Sequence, residues 1–304
     1  NSVGIFGKEI LQKGIVTVGN GGTGLYSEGG NVTLDSTSKI NTGANKAVGV
    51  FTKGAGQTIT ANTGSTMTIG DSSFGFLNEG TGNTINSNVA NQTLGNDGTY
   101  IYSSDRTGVV NNNTALTSTG SYNYGLYSAG TVTNNADINF GTGLGNVGIY
   151  STHGGTATNL AGRSVTVGAS YIDPNNSLNN RYAVGMAAGF NGDGNPAKAY
   201  TGTVVNEGTI NVNGQYSIGM YGTEAGTKVY NGTAVGSTAT INLGASNTTG
   251  MYLDNGAYGY NYGTIRSTGT GLSKVVGVVV KNGSTIENWG KIELTAEDAV
   301  GILS

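Results

Sequence analysis

The chain has 304 residues, including 55 Gly, 17 Tyr, two Pro, one Trp, one His and no Cys. Lys and Arg number 14 against 17 Asp and Glu, and the net charge of -3 leaves no electrostatic footprint for nucleic acid or an anionic membrane. Abundant Gly works against long helices, irregular Gly spacing with scarce Pro excludes collagen, and the lack of Cys excludes disulfides and thiolate metal sites.

Apolar residues, 36% of the chain, fall in short alternating runs that a disordered chain does not need. In chain order, one motif recurs: aliphatic, Gly, aliphatic, then often an aromatic. It opens at Gly4-Ile5-Phe6, Gly24-Leu25-Tyr26, Val48-Gly49-Val50-Phe51 and Phe74-Gly75-Phe76. It continues at Tyr100-Ile101-Tyr102, where Gly is replaced, then Gly125-Leu126-Tyr127, Gly148-Ile149-Tyr150 and Val184-Gly185-Met186. The last copies are Ile218-Gly219-Met220-Tyr221, Gly250-Met251-Tyr252, Val276-Gly277-Val278 and Val300-Gly301-Ile302. These twelve copies follow one another at a mean step of about 27 residues. A second motif falls between them, as in Asn206-Glu207-Gly208-Thr209-Ile210, Asn261-Tyr262-Gly263-Thr264-Ile265 and Asn288-Trp289-Gly290-Lys291-Ile292. A third β-prone piece, such as Val204-Val205 or Thr285-Ile286-Glu287, precedes the Asn.

Three short strands per period, separated by Gly and Asn turns and with no helix, predict an all-β fold: a parallel β-helix (solenoid) of about 12 coils of mostly three strands. The preference for right-handed parallel crossovers makes it right-handed. Residues 1–304 read as a single β-helix segment. Gly and Asn suit left-handed corners, and inward Asn at the same corner of successive coils are expected to form a buried amide ladder. Strict alternation puts Ile218 and Met220 inside, with Gly219 and Tyr221 outside. The resulting outer ladder holds Tyr26, Tyr102, Tyr127, Tyr150, Tyr221 and Tyr252, and lapses at Leu77, Ala187 and Val279. Stacking of these rings on one another accounts for such a ladder without any ligand.

Two long steps mark loop insertions near residues 169–182 and 189–200, which hold both Pro residues. Extra residues in a solenoid period leave the coil as a loop, and binding loops are often of this kind. The first contributes the candidate contact residues Tyr171, Asp173, Asn175 and Arg181; the second contributes Asn191, Asp193, Asn195, Lys198 and Tyr200. Lying in adjacent periods, they are expected to be neighbours in space. Catalytic machinery is not expected. His153 has no acid near it in sequence, and the scattered carboxylates show no pair for glycoside hydrolysis. Asn191-Gly192-Asp193-Gly194-Asn195 alternates oxygen donors with Gly but lacks the Glu that completes an EF-hand, so a polar turn is expected and no metal or cofactor.

Gly125-Leu126-Tyr127-Ser128, Asn206-Glu207-Gly208-Thr209-Ile210-Asn211-Val212 and Ser217-Ile218-Gly219-Met220-Tyr221 resemble repeats in passenger domains of bacterial type V autotransporter adhesins, the very large fusobacterial ones above all. The resemblance covers nearly the whole chain. It implies an extracellular rod on the bacterial surface, tethered to the outer membrane through a C-terminal barrel absent from this segment. It further implies attachment to a host or bacterial surface receptor, glycan or protein. In keeping with that reading, no 18-residue apolar run forms a membrane-spanning helix, and both chain ends fall inside the repeat, as in a segment of a longer protein. The alternatives are a structural stalk displaying a distal domain and a polysaccharide-acting β-helix enzyme.

Overall fold

The computed structural model describes residues 2–192 and 195–304. Every motif copy forms a strand, from Val3–Gly7 to Val300–Leu303, and these twelve strands pair in sequence order into one sheet. They delimit eleven full turns of a parallel β-solenoid. A second sheet of eleven strands runs from Ile10–Gln12 to Thr285–Asn288. The third face is divided into sheets of three and eight strands, between Thr66–Thr68 and Asn91–Leu94. Pairing between turns is parallel throughout, as in Ile218↔Thr249 and Met220↔Met251. No α-helix occurs among the described residues; short 3-10 turns such as Ser177–Asn179 sit in the insertions.

One turn shows how the sequence makes the coil. Strands Ile218–Thr223, Lys228–Asn231 and Thr240–Leu243 send Met220, Val229, Ile241 and Leu243 into a core where each is fully buried. Tyr221, Tyr230 and Asn242 alternate outward, so the period of two is kept on the second and third faces. The expected amide ladder runs inside the coil through Asn112, Asn134, Asn159, Asn206, Asn231 and Asn261, and ends on the exposed Asn288. Each Nδ2 donates to the next Oδ1 at 2.7–3.0 Å. Parallel in-register stacking thus satisfies amides that would otherwise be buried without partners.

The expected alternation fails at the motif Gly, and the structure corrects it. Met220 points inward as expected, but Ile218 lies on the outer face with Tyr221, and Gly219 faces the interior. A Cβ on Gly219 would stand 2.7 Å from Ile241 Cγ2 and 2.6 Å from the Gly250 carbonyl oxygen. The strand bends there: the Gly is skipped in the pairing register of every turn, so two consecutive residues face inward. The one copy lacking Gly confirms the direction. Tyr100 is fully buried, packs edge-on against Phe76 and exchanges a 2.6 Å hydrogen bond with Ser87.

A second regularity lies two residues before ten of the motif strands; Tyr182, before Val184–Ala188, does not share it. Lys46, Ser72, Asp97, Tyr122, Tyr216, Asn247, Lys274 and Asp298 all have φ between 51° and 67° there. Gly21 and Gly145 fill the same position in other turns. The tight corner is left-handed as anticipated, but mostly not glycine: the stacked turns hold ordinary residues in a conformation that costs them about 1–2 kcal/mol.

Candidate binding groove

The aromatic ladder stands where expected, on the outer face of the twelve-stranded sheet. Tyr26 stacks on Phe51 at 4.9 Å, and Tyr102 on Tyr127 at 4.8 Å and 14°. Rings closed face to face in this way offer only their edges to solvent. Burial raises the Tyr102 and Tyr127 hydroxyl pKa values, which keeps both phenols neutral.

The ladder changes character in the eighth turn. Ala187 replaces the aromatic between Tyr150 and Tyr221, and the Tyr150 hydroxyl donates to the Gly189 carbonyl at 2.7 Å, so this ring leans across the vacant rung. The next column carries Phe74 and Tyr124 in two earlier turns and Thr23, Val48, Thr99 and Val147 in others; here it carries Val184, Ile218 and Thr249. A groove of about 480 Å³ lies over these three successive rungs. Val184, Ile218 and Thr249 form its floor. Tyr182, Tyr216 and Asn247 rise on successive rungs of the strand-start corner, with Tyr182 and Tyr216 nearly half exposed. Tyr221 and Tyr252 line the opposite side, their centroids 5.9 Å apart and their planes splayed by 35°. Asp254 closes the strand-end side; its Oδ1 accepts from the Asn255 amide at 2.9 Å and from Asn282 Nδ2 at 2.6 Å. Burial raises the Tyr221 pKa, and the Asp254 charge adds to the effect.

Both insertions are hairpins, but they flank opposite ends of one strand, Val184–Ala188, instead of lying side by side. Sequence distance misleads here because consecutive corners of one turn are separated by the strand between them. In the first, Tyr171 and Arg181 pair antiparallel across its base, and Tyr171 packs edge-on against Tyr122. Asp173 organises the tip: its carboxylate accepts from the Asn175 and Asn176 amides and from Asn179 Nδ2, and these bonds lower its pKa. In the second, Phe190–Asn191 pairs with Ala199–Tyr200, and Asn195 Oδ1 accepts from the Ala197 amide just before Lys198. Tyr200 stacks on His153 at 3.6 Å, beneath the Arg106 guanidinium. The remaining candidate, Asp193, lies outside the described residues. None of the other eight candidates lines the groove; Tyr182, one residue beyond Arg181, does.

A second aromatic cluster, on the second sheet, has no counterpart in the sequence reading. Tyr230 stacks on Tyr260 at 4.5 Å and 8°, and Tyr262 lies parallel to Tyr260 at 6.5 Å. The signal was Tyr at the same offset before the Asn in two consecutive repeats, Tyr230-Asn231 and Tyr260-Asn261.

No curated protein and no solved structure matches the chain. A family model does, that of the BigA third pectate lyase-like domain, over residues 5–263. That span holds the groove and both insertions, and the chain belongs to this family of β-helix domains, named for a bacterial surface protein.

Proposed function

We propose that this domain is a non-catalytic adhesive segment of a bacterial surface rod, attaching to host cells or other bacteria through a glycan or protein receptor. The observation that carries the reading is the groove: four tyrosines around an apolar floor, with Asp254 as the one carboxylate in its lining. Aromatic, amide and acid groups on a rigid sheet suit recognition. Glycoside hydrolysis needs two carboxylates facing the bond, and Asp254 alone lines this groove. The surface character of the family and the likeness of the repeats to autotransporter passengers support the placement outside the cell.

A structural stalk is the second reading, favoured by the ring-on-ring stacking of Tyr26 with Phe51 and of Tyr102 with Tyr127. Competition separates the two. The soluble domain should block attachment of the parent bacteria to target cells, and the Tyr182→Ala, Tyr216→Gly double variant should lose that effect. A domain that never competes is a stalk.

A further inference from the structure

We propose that the groove receives one neutral pyranose unit of a glycan and disfavours uronates, a refinement that rests on the adhesive reading for the groove's use. Three observations lead there. Nine residues line the groove, whereas a stable protein interface engages roughly 20–30 a side, so the space suits a small rigid unit. Tyr221 and Tyr252 are splayed by 35°, unlike the closed Tyr102–Tyr127 stack, and so keep ring surface turned to the groove. A pyranose offers a C–H face to such rings and hydroxyls around its rim.

The polar groups match that rim. Both hydrogen bonds to Asp254 fall on Oδ1, leaving Oδ2 to accept from hydroxyls. Asn247, at the opposite corner, brings a donor and an acceptor. Charge decides between sugars. Lys281 stands over the Tyr252 ring at 5.9 Å and does not line the groove, so an added carboxylate meets Asp254 with no cation in the lining to neutralise either.

The test is calorimetric titration of the purified domain with neutral galacto-, gluco- and manno-oligosaccharides and, in parallel, with oligogalacturonate. At least one neutral series should bind. Tyr182→Ala, at a half-exposed position that leaves the coil intact, should weaken it about tenfold. Asp254→Asn should weaken neutral binding and admit oligogalacturonate. Equal or tighter binding of oligogalacturonate by the unaltered domain overturns the proposal, as does neutral binding indifferent to both substitutions. A domain that blocks attachment yet binds no sugar rejects the pyranose while sparing the adhesive reading. One that binds sugar in the groove yet blocks no attachment does the reverse.

Discussion

Gly219 and Tyr100 occupy equivalent rungs and explain each other. Where the third face closes in, only a hydrogen fits; where that face is interrupted, a whole phenol enters the core and finds Ser87 and Thr114. Gly219→Ala should therefore destabilise the domain by about 2–3 kcal/mol in urea unfolding. Gly14→Ala, with open space around its Cβ and an unexceptional φ, should change it by less than about 0.5 kcal/mol. Asn206→Ala removes a middle rung of the amide ladder and leaves Asn159 and Asn231 each short of a partner. A loss of about 2–3 kcal/mol is expected in the same assay.

At the scale of elements, strands and ladders were legible because each depends on a pattern within one period. The amide ladder needed only Asn at a fixed offset, and the aromatic ladder only the residue after the motif aliphatic. The inward Gly was not legible, since alternation presumes an unbroken pleat and the bend sits at the motif itself. The groove was hidden for another reason. Tyr182, Tyr216 and Asn247 share a corner only once the register across two unusually long steps is known. The insertion was visible, but its tip is occupied with itself. Asp173→Ala should loosen that hairpin and speed its proteolysis, while the midpoint of global melting stays put, because the coil does not depend on it. Lowering the pH should act likewise. The Asp173 carboxyl is depressed by its donors, so the ordering it gives is complete above about pH 4 and fades as pH falls through its folded value.

For the whole molecule, the same linkage runs through the coil. Asn96 donors hold the Asp71 carboxyl low; burial opposes the Asp105 charge, and the Asn83 and Thr107 donors outweigh it. Both groups bind a proton more readily unfolded than folded above their folded pKa values. Their contribution is present at neutral pH and lost as pH drops below about 4. Urea midpoints at pH 7 and pH 3 should show the acid sample less stable; an unchanged midpoint would refute the role given to these carboxylates.

The strands lie crosswise to the direction in which turns stack, with hydrogen bonds such as that from the Phe74 amide to the Ala47 carbonyl at 2.9 Å running from one turn to the next. A pull applied end to end therefore strains those bonds in tension instead of shear, and they break in succession like a zip. Each turn let go, such as the stretch from Val48 to Phe74, releases roughly 90 Å of slack. The domain pulled by its two ends should therefore lengthen in steps before it is fully drawn out, and optical-tweezer traces should show that staircase.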